Sequence, residues 1–514
     1  MFEFNNSGTF LNILSKNNKI IKEFNNLTGV SQLYTKAQNL DTLITRFTGN
    51  SDFFDKRQMY ISLHPTGQQQ NNYLFTVQIK NLDDINKIRD YVKTQLAKNH
   101  IIKTINFDNE QVFTITFADS IPTTLYMYVN KNICQLSYSK LLIENSIKHF
   151  KTKESLLDNP EFERVYKTSN KKTPVNLYVN FSKFPIYISE LFNNNYNSIV
   201  SKGNDIASWM ELDININDEN LFLNGITSLN NNRGTVNYFG IFENSKPVPN
   251  SIAGILPANT SFFLSLGMFD FNLYRKLYSE YLKSNGTYNN FRKEIANLNI
   301  SFDINVEDIF YAIIEKEAAV VTTKINENFP LDNVFAVFQT KGKNLAEERI
   351  LGMIESYAVI NDLDFKNFRD EIVIDQTIRF KVYRMPVSKI PEKLFGGVFH
   401  LPEANYLVFI DNYMVMGKSI SSLKSYINDI ILNKTLKKEK KYKETFKNLS
   451  EESNILLYID VNSSYNFHKL FTNNNSIEYL NLNKDQLIQN FSTLYIFHTI
   501  PYQRINLKQY GKVV

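Results

Sequence analysis

The sequence predicts an α+β chain made of two tandem, diverged copies of one module, each built from strand–helix units and antiparallel β-hairpins. Three observations carry this. Residues 126–182 lie over 406–462 at a constant offset of 280, from 406 less 126. Within that span strand, turn, helix cap, helix and strand follow in one order without a gap. Outside it the match continues at offsets that change between elements and not within them, as loop insertions in a duplicated fold require.

Tyr126-Met127-Tyr128-Val129 meets Tyr406-Leu407-Val408-Phe409, both strand-like. Asn132 falls on Asn412 in the next turn, and Ile133–Leu136 on Tyr413–Met416 in the returning strand. Ser139 meets Ser419, each placed to cap a helix with its hydroxyl. The helices that follow share an apolar stripe of 3.6-residue period, Ile143, Ile147 and Phe150 against Leu423, Ile427 and Ile430. Leu156 then matches Leu436, Phe162 matches Tyr442, Tyr166 matches Phe446, and Tyr178-Val179-Asn180 matches Tyr458-Ile459-Asp460. Upstream, Leu74, Phe75 and Val77 match Val334, Phe335 and Val337 at an offset of 260, from 334 less 74. Ile88, Tyr91 and Val92 match Ile350, Met353 and Ile354 at 262, from 350 less 88. Residues 209–229 alternate as a hairpin turning at Asn217-Asp218-Glu219-Asn220, with a counterpart over 493–510 turning near Pro501.

A smaller unit, an apolar strand leading through a polar residue into an amphipathic helix, recurs at 2–14, 177–192, 262–282 and 456–471. The resulting division is a first module at 1–242, a linker at 243–259 punctuated by Pro247, Pro249 and Pro257, and a second module at 260–514. Laying Phe4-Asn5 on Val179-Asn180 sets Met1 inside a strand, so the first strand is expected to be truncated.

With 514 residues, 43% of them hydrophobic, the chain can bury sizeable cores. A net charge of +5 without a clustered basic face argues against a nucleic-acid partner, and the run 437–441 reads as a solvated helix end or loop. The frequent Tyr and Phe accompany Asn, Lys and Ile, all with AT-rich codons, and carry no weight as binding surfaces. No apolar run approaches the ~18–20 residues that span a bilayer.

Chemistry-bearing residues do not assemble in the sequence. Cys134 stands alone in an apolar strand, which excludes an internal disulfide or thiolate cluster and reads as a buried hydrophobe. His64, His100, His149, His400, His468 and His498 show no metal-ligand spacing, so neither metal nor cofactor is expected. Gly396-Gly397 signals a turn or bulge, not a phosphate loop, and Pro65-Thr66-Gly67 signals a turn after a strand. Asp83-Asp84 suits a helix start, Glu347-Glu348 a solvated helix face, and Trp209 a core anchor.

Ile61-Ser62-Leu63-His64-Pro65-Thr66-Gly67, Ile255-Leu256-Pro257-Ala258-Asn259-Thr260-Ser261-Phe262, the hairpin 209–227 and the strand ends Asn180 and Asp460 carry a resemblance. With these the chain resembles a family of uncharacterised Bacteroidota cell-envelope proteins assigned to a domain of unknown function. The resemblance implies an extracytoplasmic body behind an N-terminal membrane anchor or lipoprotein leader, and supplies no catalytic residues. The expected function is a non-enzymatic envelope binding or scaffolding protein whose partner is an envelope protein or an apolar ligand. A hydrolase with carboxylates assembled only in three dimensions, and a carrier holding an apolar ligand between modules, are the alternatives.

Overall fold

A computed structural model describes residues 1–5, 57–67, 70–98, 100–117, 123–196, 201–216, 220–230, 236–243, 245–324, 329, 331–447, 450–490, 493–499 and 506–512. The chain divides into two compact units. Unit 1 comprises Met1–Asn204, Ser208–Ser228 and Asn473–Gln486, and unit 2 comprises Asp205–Ala207, Leu229–Thr472 and Leu487–Val514.

Unit 1 contains β1 (Phe2–Phe4), β2 (Met59–Gly67), β3 (Gln70–Gln78), α1 (Leu82–Thr94), β4 (Ile101–Phe107), β5 (Glu110–Phe117), β6 (Thr123–Val129) and β7 (Ile133–Ser137). It continues through α2 (Lys140–Thr152), α3 (Pro160–Thr168), β8 (Val175–Asn180), α4 (Phe184–Ile188), β9 (Trp209–Ile216) and β10 (Asn220–Ser228). Every strand neighbour is antiparallel, in the order β10-β9-β8-β1-β2-β3-β7-β6-β5-β4. α1 starts where Asn81 accepts the Asp84 N–H and lays Ile85, Ile88 and Val92 on one sheet face, against Phe75, Val77, Met127 and Leu136. The opposite face receives Ile143 and Ile147 of α2 against Val112 and Tyr128.

Unit 2 contains β11 (Val248–Pro249), β12 (Phe262–Gly267), α5 (Phe271–Ser284), α6 (Tyr288–Phe302), α7 (Val306–Ile313), β13 (Ile314–Thr322), β14 (Val334–Thr340) and α8 (Lys343–Ile360). Then follow β15 (Arg369–Ile374), β16 (Ile378–Arg384), α9 (Ile390–Phe395), β17 (Tyr406–Ile410), β18 (Tyr413–Gly417), α10 (Ile420–Ile431), α11 (Lys440–Phe446), β19 (Glu452–Ser453), β20 (Ile455–Asp460), β21 (Thr493–Thr499) and β22 (Asn506–Lys512). Its main sheet is again antiparallel throughout, ordered β22-β21-β20-β12-β13-β14-β18-β17-β16-β15.

Position by position, this is the strand order of unit 1. The register agrees as well. Tyr126 faces Ser137 and Tyr406 faces Gly417, both pairs 280 apart. Tyr178 faces Glu211 and Tyr458 faces Tyr495, with Glu211 facing Ile226 and Tyr495 facing Tyr510. The Ile79 N–H donates to the Asn132 carbonyl at 2.8 Å, and the Thr340 N–H donates to the Asn412 carbonyl at 2.7 Å.

Several expectations need correction. Phe75 pairs with Leu136 and Ala336 pairs with Met416, so the β3–β14 offset is 261 and the sequence match at 260 is one residue out. A slip of one moves every side chain to the other face; here Val334–Phe338 is buried on both faces and offers no alternation to fix the register. Phe150 and Leu156 are exposed, whereas Leu436 is buried. Ser419 caps α10 with a full capping box, but Ser139 makes no side-chain capping bond to α2. The strand β2 runs on through Pro65 and Thr66 to Gly67, which pairs with Gln70 of β3, so the reversal follows the Pro-Thr-Gly segment and a register irregularity falls within it. The segment expected as a linker packs into unit 2: β11 pairs with β19, and Ile252, Ala253, Ile255 and Leu256 belong to the cluster around Leu423 and Ile427. Apolar residues between the prolines make that segment a strap on the sheet. The turns at 217–219 and near Pro501, and most of the strand–helix unit at 2–14, lie outside the described residues.

Candidate functional site

In unit 1 a polar row crosses six neighbouring strands. Cross-strand partners share a face, and here they are Asp213, Asn176, Glu3, Tyr60, Thr76 and Gln135, from β9, β8, β1, β2, β3 and β7. Unit 2 places Phe497, Leu456, Ser265, Ala319, Val337 and Val415 at the corresponding pairing positions. The fold therefore does not require polarity there.

Glu3 is fully buried, and its Oε2 accepts from Lys171 Nζ and from the Tyr178 hydroxyl, each at 2.7 Å. Lys171 also sits 3.8 Å over the Tyr166 ring centroid, on α3. The Tyr60 hydroxyl donates to Glu3 Oε1 at 3.3 Å. Burial first, and Glu3 next, push the Tyr60 phenol far above its ordinary range. Beside this group the fully buried Asn176 amide reaches Asp213 Oδ1 at 2.5 Å, Glu211 Oε1 at 3.1 Å and Thr173 Oγ1 at 3.1 Å. Glu211, 1% exposed, has its carboxyl pushed up to about 9, by burial above all and then by Asp213. At neutral pH it is a carboxylic acid beside the Asp213 carboxyl, the chemical form that general acid–base work uses.

Unit 2 holds a second buried carboxyl. Glu317, 1% exposed, lies in a row with Gln339 and Tyr413 on β14 and β18, and the strap places Ser251 over them. Glu317 accepts the Ser251 N–H at 3.1 Å and its hydroxyl proton, and burial pushes its carboxyl up to about 7. A serine beside a carboxylate invites a nucleophilic reading. Ser251 donates its hydroxyl proton to Glu317, while Gln339 Nε2 at 3.4 Å and the Tyr413 hydroxyl at 3.3 Å both donate to its oxygen. This constellation pins the strap to the sheet.

The residues weighed from the sequence stay apart. His64 Nε2 contacts Ser62 Oγ at 2.7 Å, and burial holds its imidazole below the ordinary range. His100 packs edge-on to Phe117, and His400 Nδ1 meets Glu392 at 2.6 Å. His149 is exposed near Glu154, and the side chains of His468 and His498 lie outside the described residues. Among the described residues no group of three or more His, Cys, Asp or Glu could hold a metal ion. Cys134 is buried, and burial pushes its thiol up to about 12. Trp209 packs edge-on to Phe162 at 4.8 Å in the α3 core. Asp83 pairs with Lys87 on the surface, while Asp84 receives the guanidinium of Arg57 at 2.8 and 3.0 Å, a buried pair that the sequence did not disclose. Glu348 is exposed as expected, but Glu347 accepts a hydrogen bond from Tyr383. Gly396, at φ +78°, ends α9 and leads into a single 3₁₀ turn.

No helix among the described residues is long and apolar enough to cross a membrane. Neither the curated proteins nor the solved structures contain a match to the chain. The family model of the protein of unknown function DUF3352 does match, over residues 54–355, more than half of the chain, and the chain belongs to that family.

Proposed function

We propose that this chain is a non-enzymatic binding or scaffolding protein of the cell envelope, built from two diverged copies of one module. The observation that carries the non-enzymatic reading is the closure of both shifted carboxyls. Glu211 and Glu317 are each 1% exposed and hydrogen-bonded within the protein, so neither can exchange a proton with a bound substrate. The reading of two copies rests on the shared strand order and pairing register. The envelope placement rests on the resemblance carried by residues 61–67 and 255–262. Affinity capture of envelope proteins with the purified chain, compared with capture from the soluble fraction, tests both placement and binding. Enrichment from neither fraction removes the scaffolding reading.

The hydrolase alternative draws its support from Glu211, held near 9 beside Asp213. A panel of ester, glycoside and phosphoester substrates, assayed with the parent and with Glu211→Gln, separates it. Turnover lost in the variant would replace the binding reading.

A further inference from the structure

The long connection that sets unit 2 apart from unit 1 builds a groove of its own. Between β5 and β6 the chain uses five residues, 118–122, whereas between the equivalent β16 and β17 it uses twenty-one, 385–405. The longer connection carries α9 and a 3₁₀ turn of its own. It is anchored. The Tyr311 hydroxyl donates to the Leu394 carbonyl at 2.9 Å, Lys389 Nζ donates to the His400 carbonyl at 2.6 Å, and the Phe395 ring packs at a tilt against Phe338 and Phe399 and edge-on to Tyr311. Its inner edge, with the end of α8, encloses a groove of about 760 Å³, within the range of small-molecule sites.

The lining is selective. Tyr357, Phe368 and Tyr406 supply rings, and Tyr357 is held edge-on to Phe368 at 6.0 Å and against Phe302 at 5.2 Å. Asn405 lines the groove with its amide fixed by donation to the Lys418 carbonyl at 3.1 Å, which leaves its side-chain oxygen to accept. Ser388 and Asn367 add a hydroxyl and a second amide. The charge is one-sided: Arg384 is the lone charged lining residue, and it makes no ion pair with a described residue. Glu403, close in sequence, is engaged by Lys418 at 3.8 Å. In unit 1 the equivalent positions, Thr114 opposite Tyr126 and Leu125 before it, carry neither the cation nor the amide.

The geometry points to a site for a monosaccharide bearing one anionic group: Arg384 takes the carboxylate or phosphate, Asn405 and Ser388 take hydroxyls, and the rings cover a sugar face. The inference rests on the binding reading above and gives it a ligand class. A guanidinium in this setting grips a planar or tetrahedral oxyanion with two parallel N–H groups, which a neutral sugar cannot return.

Met385, 4% exposed, lines the groove and provides the probe. The full chain is labelled at methionine methyls, the Met385 signal is assigned from a Met385→Leu variant, and D-glucuronate, glucose 6-phosphate and glucose are titrated separately. The expected result is a saturable shift of Met385 with glucuronate, glucose 6-phosphate or both, little with glucose, and affinity weakened about tenfold or more in Arg384→Gln. Which of the two anions responds names the group. No shift with either anion, an equal response to glucose, or unchanged affinity in Arg384→Gln overturns the proposal. Such a failure leaves capture of an envelope protein untouched, because that assay does not read this groove.

Discussion

Replacing Glu317 with Gln should flatten the pH dependence of unit 2, and the size follows from its burial. An unfolded chain ionises this carboxyl at its ordinary value of 4.5, while the folded one holds its proton up to about 7. Below pH 4.5 the group is neutral in both states and contributes no slope. Between 4.5 and 7 the folded state binds more protons than the unfolded state, so stability falls as pH rises. At about 1.4 kcal/mol per pH unit, the fall totals roughly 3 kcal/mol and is complete above pH 7. Gln keeps the shape and cannot ionise. Glu317→Gln should therefore track the parent near pH 5 and gain about 3 kcal/mol on it by pH 8, which for a unit of this size moves the midpoint by roughly 6–12 °C. Calorimetry of both proteins at the two pH values reads the difference, with hydrogen exchange at Ser251 and Ile252 reporting the strap itself. Parallel pH profiles would mean that water reaches Glu317 and that the strap is not closed over it.

Other perturbations have expected outcomes of their own. Ile143→Asp and Leu423→Asp each place a charge at a site no more than 1% exposed, and each should cost several kcal/mol in its own unit; a calorimetric trace matching the parent for either would mean that its helix face is misassigned. Arg57→Met takes both guanidinium bonds from the buried Asp84 carboxylate, which keeps the Lys80 N–H at 3.2 Å, so a loss of about 3–5 kcal/mol is expected in urea unfolding, and a loss below about 1 would show the pair to be solvated. Gly396→Ala forces a side chain into the left-handed region and sets its Cβ 2.2 Å from the Tyr278 hydroxyl, so destabilisation of at least about 1–3 kcal/mol should appear as a lowered melting point in unit 2. Asn176→Leu installs the residue that unit 2 has at the equivalent position, but it strips Glu211 and Asp213 of a shared donor and should destabilise unit 1 by about 1–3 kcal/mol.

The α+β class was legible because strand-like and helix-like segments alternate along the chain with their own apolar periods. Register was legible only where a strand alternates. In β3, buried Phe75 and Val77 alternate with half-buried Leu74 and Thr76 and exposed Gln78, but Val334–Phe338 in β14 is buried without interruption, and the match slipped by one there. The strap escaped notice because three prolines suggested a linker, while Ile252 and Leu256 found their places only in the finished sheet. The polar row of unit 1 could not be read at all. Its members stand at positions 213, 176, 3, 60, 76 and 135, and only the strand order brings them side by side. Glu317 hid for another reason: in Glu315-Lys316-Glu317 it looks like one end of a solvated charge run. The groove residues come from the end of α8 and the residues just after it, from β16 and β17 and from the connection between those strands, so no single periodic segment carries them.

Two units of one topology in one polypeptide face a hazard during synthesis, since a strand of either could enter the other's ladder. The row through Glu3 and Asn176 makes the two ladders chemically distinct. If β20 took the place of β8, Leu456 would stand where Asn176 stands, and Glu211 and Asp213 would lose the amide that joins them. Losing that donor costs about 1–3 kcal/mol, which disfavours the exchanged pairing. The polar row thus tells the ladder of unit 1 from that of unit 2, because a strand exchanged between them would bring apolar side chains to polar partners.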